Sequence, residues 1–220
     1  MAAPDSSQTP HPVPPSGAVA LDLPGLAAGL PPAPPPDLDP YLDAAIRCFA
    51  RYGVGRTTVQ DIARELAVDR TTVYRRIGGI DDLTRALVAR ELRRLLAGLP
   101  AHIPSEADPF GPEAIVELVT AAVSLARDHA VLAKVLADEQ ERIGPFLTKE
   151  LATLIDRVAT AIRPLLEMAM EQGGIARRDP RRLSEWLVRT GISVLVSPPR
   201  DDLRSFLSEV LVPALTPDSS

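Results

Sequence analysis

Between Thr57 and Leu83 the chain reads TTVQDIARELAVDRTTVYRRIGGIDDL, a stretch that leaves few folds open to it. Val59, Ile62, Ala63 and Leu66 recur at three- and four-residue spacing and predict a short helix. A tight turn around Ala67 follows, then a second short helix in which Val73 and Ile77 point inward, stopped by Gly78-Gly79. Two short helices cross at a fixed angle only if their contact is small and their turn apolar. Ala63 supplies the small contact, and Ile62, Leu66, Val68 and Val73 the shared core. Ala67 stands where a positive φ is needed and glycine is usual, at a cost of about 1 kcal/mol for alanine. The layout is that of a helix-turn-helix, whose second helix can lie in a DNA major groove.

With Val73 and Ile77 inward, Arg70, Thr71, Thr72, Tyr74, Arg75 and Arg76 share the flanks and outer face of that second helix. Arg can take guanine O6 and N7 bidentately, Thr can touch a thymine methyl or a phosphate, and a Tyr hydroxyl can reach a phosphate. Thr57 and Thr58 open the preceding helix, where free backbone N–H groups attract a phosphate. Thr57 also reads as its N-cap, with Gln60 completing a capping box, and Asp69 as the N-cap of the next helix. The same face would suit any Arg-rich solvated helix; the coincidence of cap, small contact, turn and basic face favours DNA.

The chain's net charge of −5 argues against a general nucleic-acid binder, but the charge is unevenly spread. Residues 47–76 carry seven Arg against three acids, whereas residues 99–220 carry 13 basic against 18 acidic side chains. Positive charge sits where the helix-turn-helix sits, and the acidic remainder would repel DNA. Aromatic residues are only 4% of the chain, so the core must be aliphatic.

Residues 1–36 hold 11 of the 23 prolines and no Lys or Arg. The run PPAPPP favours polyproline II, so the segment reads as a disordered leader or as a ligand for a proline-binding partner. From Asp39 onward the periodicity is helical throughout, with helices expected at 39–52, 57–66, 69–77, 81–97, 113–129, 131–142, 145–172, 180–197 and 201–212. Strand signals are absent. The predicted fold is all-α: a three-helix helix-turn-helix head over 37–83, joined to a larger helical body over 84–216.

Residues 39–83 resemble the DNA-binding head of the TetR/AcrR family of transcriptional regulators. The stretch AAIRCFARYGVGRTTVQDIARELAVDRTTVYRRI carries the likeness, with Gly53, Thr57-Thr58, Ile62-Ala63 and Thr72-Val73-Tyr74 in place. The resemblance implies a two-fold dimer, a ligand cavity in the body, and release of an operator when a small-molecule effector binds. It also implies DNA contacts from Thr57 or Thr58, Thr72, Tyr74 and Arg76. Two positions depart from the pattern: Ile77 replaces the usual aromatic, and Ile80 stands where a phosphate-binding Lys is common.

On the same footing the last two helices of each subunit would form a four-helix bundle across the dimer axis. Leu183, Trp186, Leu187, Thr190, Val194, Phe206 and Val210 recur at helical spacing and could supply it, though they fit an ordinary core equally well. Thr120, Ser124, Gln140 and Thr160 are polar inserts on otherwise apolar helices, the pattern of a cavity for a hydrophobic effector or of satisfied core and surface. His129 near a helix end reads as a helix C-terminal partner, and the Arg177, Arg178, Arg181 and Arg182 cluster as a solvated turn.

Other classes find little support. His11, His102 and His129 are scattered, and no HExxH, GxSxG or P-loop pattern occurs, so no enzyme, cofactor or metal site is expected. Cys48 is the lone cysteine and falls on the core side of a helix, where it reads as a buried apolar thiol. No apolar run approaches the roughly 18 residues needed to cross a bilayer and no basic n-region precedes one, so a soluble cytoplasmic protein is expected. The alternative to a homodimeric, operator-binding repressor is a ligand-sensing or protein-interaction module whose head has lost operator binding. Ile80, Ala67 and the acidic body are what favour that alternative.

Overall fold

The computed structural model describes Leu30 and residues 32–139 and 150–217. Among them run nine α-helices and no strand: α1 (Asp39–Tyr52), α2 (Val59–Glu65), α3 (Arg70–Ile77), α4 (Ile80–Gly98), α5 (Pro112–Asp128), α6 (Ala130–Asp138), α7 (Leu151–Glu171), α8 (Pro180–Val196) and α9 (Leu203–Leu215). The described residues build an all-helical fold, as the periodicity predicts. The predicted helix ends near 142 and 145, most of the leader, and Gln140 lie outside the described residues.

The head forms because α1 repeats small and large apolar residues on one stripe. Leu42, Ala45 and Phe49 meet Ile62 and Ala63 of α2, Val73 of α3, and Leu83 and Leu87 of α4. Each large side chain so buried contributes on the order of 1.5–3 kcal/mol. Cys48 is sealed in the same cluster. Gly53 ends α1 at φ 89, its N–H donating to the Phe49 carbonyl at 2.8 Å, a conformation that glycine adopts without strain. Val68 departs from expectation: it is 38% exposed, because the turn after α2 carries it past the core that Ile62 and Val73 fill.

α4 serves two units. Its first turns close the head, whereas Leu96 joins Leu99, Leu118, Ala161 and Leu165 in the body. A short 3₁₀ turn (Leu99–His102) leads off toward α5. α7 packs along α8, and α5 lies against α8 and α9. Ile115, Leu166, Leu187, Leu207 and Leu211 form the centre of that packing. Leu30 is also buried, against Leu96 and Ile103, and its carbonyl accepts a bond from Arg93 Nη2 at 3.2 Å. No helix among the described residues is long and apolar enough to cross a membrane.

Candidate nucleic-acid interface

The N-terminus of α2 is built one residue later than its sequence suggests. Thr58, not Thr57, is the N-cap, and Asp61 rather than Gln60 completes the capping box. Thr58 N–H and Oγ1–H donate to Asp61 Oδ2 at 2.9 and 2.6 Å, and Asp61 N–H donates back to Thr58 Oγ1 at 3.3 Å. Those donors, first the Thr58 hydroxyl and then its amide, hold the Asp61 carboxyl below its ordinary range. Thr57 is turned inward at 5% exposure, and its hydroxyl donates to the Gly53 carbonyl at 2.7 Å. The Thr57 side chain is therefore spent on the loop, and Thr58 is the exposed threonine of the pair.

Ala67 takes φ 53, the positive value the helix-turn-helix corner requires. Val68 N–H reaches back to the Ala63 carbonyl at 3.0 Å and fixes the corner. Asp69 occupies the N-cap position of α3, but its side chain makes no capping bond. Gly78 at φ 88 closes α3, and the Gly79 N–H donates to Asp82 Oδ2 at 3.0 Å to start α4. Ile77 and Ile80 are both partly buried against the head core, so Ile80 offers packing where a cation would offer charge.

α3 is anchored from beneath by fully buried Val73, with Ile77 half-buried behind it. Arg70, Thr71, Tyr74, Arg75 and Arg76 are all exposed, and Thr72 is half-buried on the flank. The Arg70 guanidinium lies 5.1 Å from the Tyr74 ring centroid and donates to the Tyr74 hydroxyl at 3.1 Å. This holds the tyrosine as a flat, donor-tipped surface on the helix. Arg76 Nη1 pairs with Asp37 Oδ2 at 3.3 Å. Sequence reading missed Asp37, because no periodicity links residues 39 apart.

The head is tied to α4 by a charged cluster. Arg90, 6% exposed, reaches Asp39 at 2.9 Å and Asp43 at 2.8 Å on α1, and Glu91 at 2.8 Å beside it. His129, the residue that ends α5, brings Nε2 to 3.7 Å from Glu91 Oε2. Burial pushes the Glu91 carboxyl up, but the His129 and Arg90 partners outweigh it and leave the group lowered. The end of α5 therefore lies beside the helix that carries the head.

A family model described as bacterial regulatory proteins, tetR family, matches residues 42–87. An uncharacterised HTH-type transcriptional regulator of Mycobacterium bovis is 30% identical over 156 residues, covering 71% of this chain and 78% of the relative. The chain belongs to the TetR family. Among solved structures, the TetR family repressor AlkX of Dietzia, implicated in biodegradation of n-alkanes, has TM-score 0.60 at 22% identity, over 83% of this chain and 96% of its own. The fatty acid degradation regulator FadR of Bacillus halodurans has TM-score 0.58 at 21% identity, over 80% and 93%. Both share the fold, a helix-turn-helix head on a larger helical body. TetR-family proteins are DNA-binding transcriptional regulators rather than enzymes.

The body of this TetR-family chain places the remaining sequence-predicted residues unevenly. On α8 and α9, Trp186, Phe206 and Val210 are 43%, 40% and 51% exposed, and Leu183 and Thr190 are half-buried. Leu187 and Val194 share the helical stripe but turn inside the subunit, Leu187 beneath α5 and α7, so neither offers surface to a second copy. Val196, 41% exposed, belongs with the outward set and was missed because it ends its helix. Of the effector candidates, Thr160 is half-buried and accepts a bond from Arg163 Nη2 at 3.1 Å, and Ser124 lies on an exposed face. Thr120 Oγ1 is enclosed and has no hydrogen-bond partner.

Proposed function

We propose that the protein is a homodimeric, ligand-responsive repressor of the cytoplasm, with the head over 37–83 binding DNA and residues 84–216 serving effector and dimer. Two copies of α3 would enter successive major grooves of an inverted-repeat operator, about one helical turn or a multiple apart. The observation that carries this reading is the seating of α3. Val73 is fully buried, while Tyr74, Arg75 and Arg76 stand outside on a face with five exposed polar or cationic side chains in eight residues. Thr58 and the α2 amides would meet a backbone phosphate, Arg76 a base edge, and Tyr74 a second phosphate.

The effector reading is of an apolar small molecule with one polar group. Its support is an aliphatic body and the enclosed Thr120 hydroxyl, since a buried hydroxyl without a partner costs about 1–3 kcal/mol that a ligand could recover. Such a ligand releases DNA only by binding more tightly to a state whose two heads are wrongly spaced. Trp186, Phe206 and Val210 would meet their counterparts across the two-fold axis.

A gel shift with the DNA flanking the protein's own gene tests the operator. The complex should weaken steeply with salt, at roughly −0.9 in log–log slope per phosphate neutralised. Absence of a shift at low salt would leave a ligand-sensing or interaction module instead.

A further inference from the structure

The body touches the head at a second place, away from the Arg90 cluster. α6 packs against α1, and the residue that ends it, Glu139, is 7% exposed. Its Oε2 accepts a hydrogen bond from the Gly55 N–H at 3.1 Å, between residues 84 apart in sequence. Its Oε1 lies against Gly53, where an added β-carbon would collide with the carboxylate. A buried carboxylate is tolerated only when hydrogen-bonded, so an amide donor from the head is part of what keeps Glu139 inside.

Those two glycines belong to the loop that delivers the chain into α2. The Gly53 carbonyl takes both the Thr57 hydroxyl at 2.7 Å and the Thr57 N–H at 3.2 Å. Thr58, the exposed N-cap, comes directly after. Thr57 therefore closes the loop from within while Glu139 holds it from the body. Short connecting loops open at low free energy unless such contacts hold them.

We propose that Glu139 is a positioning residue for DNA binding. It fixes residues 53–58 so that Thr58 and the α2 amides stay where a phosphate meets them. Any movement of the body that withdraws the end of α6 loosens that loop and weakens the operator complex without touching α3. This rests on the operator-binding reading above.

The test compares full-length wild type, Glu139→Ala and Glu139→Gln by amide hydrogen exchange and by operator titration at fixed salt. In Glu139→Ala, exchange at Gly55 should quicken by about tenfold, operator affinity should fall about three- to tenfold, and exchange in α7 and α8 should stay slow. Glu139→Gln keeps an acceptor oxygen and should remain within about twofold of wild type in both measurements. Unchanged exchange at Gly55 in the alanine variant overturns the proposal. So does a loosened loop with wild-type affinity, or a glutamine variant that behaves like alanine. A wild-type protein that binds no DNA would instead sink the operator reading, while exchange at Gly55 would still decide whether Glu139 holds the loop.

Discussion

Asp37 Oδ2 stands 3.3 Å from Arg76 Nη1, so a carboxylate from the segment before α1 already engages a cation on the outer face of α3. To read a base, Arg76 must leave it. Both groups are more than half exposed, which keeps the pair weak. Asp37→Asn should raise operator affinity by about two- to fivefold. Arg76→Ala should cost about 1–3 kcal/mol on the operator and less on random DNA. Fluorescence anisotropy titrations on both DNAs at one salt concentration check the pair. Weaker binding by Asp37→Asn would mean that Asp37 aims Arg76 rather than occupying it.

Ala67 holds φ 53 without the freedom glycine has there. Ala67→Gly should stabilise the protein by about 0.5–1 kcal/mol, since relief of left-handed strain exceeds the added chain entropy. Urea midpoints would show it, with operator preference unchanged.

The Arg90 cluster gives a pH signature. The folded Glu91 carboxyl lies below its ordinary value, so its stabilising contribution is present above the unfolded carboxylate range and is lost as pH falls through the folded one. Arg90→Met removes one of the partners that lower it and leaves Asp39 and Asp43 without their buried cation. The variant should lose about 1–3 kcal/mol at pH 7, discounted because both aspartates are partly solvated. It should also lose less on going from pH 7 to pH 3 than wild type does. Parallel denaturation curves at the two pH values measure both effects.

Neighbouring residues on α8 should give opposite phenotypes. Trp186→Asp places a charge on the outward face and should yield a folded monomer by light scattering. Leu187→Ala opens a cavity in a site only 3% exposed and should cost about 2–5 kcal/mol while leaving the oligomeric state alone. A Trp186→Asp variant that stays dimeric would move the proposed interface elsewhere, and a monomeric wild type would remove it altogether.

These contrasts mark what sequence could and could not tell. Ile62, Ala63 and Val73 were legible because helical spacing and a small–large contact leave them nowhere else to go. Ala67 was legible because the corner itself dictates its backbone. The cap was misplaced by one residue because Thr57 and Thr58 each have a polar partner three positions on. Only a bond within the preceding loop, from the Thr57 hydroxyl to the Gly53 carbonyl, decides between them. Trp186 and Leu187 are neighbours in the same apolar pattern, and the packing of α5 and α7 separates the outward residue from the inward one. Asp37 with Arg76, and Glu139 with Gly55, join distant segments and leave no local trace.

Cys48, the chain's one thiol, is shut inside the head, where burial, and after it the nearby Glu65 and Asp61 carboxylates, keep the proton on sulfur. Alkylating reagents consume thiolate, so the intact head should be inert to them, whereas an opened one should react at once. The protein thus carries its own clock for the breathing of the helical head that encloses that thiol.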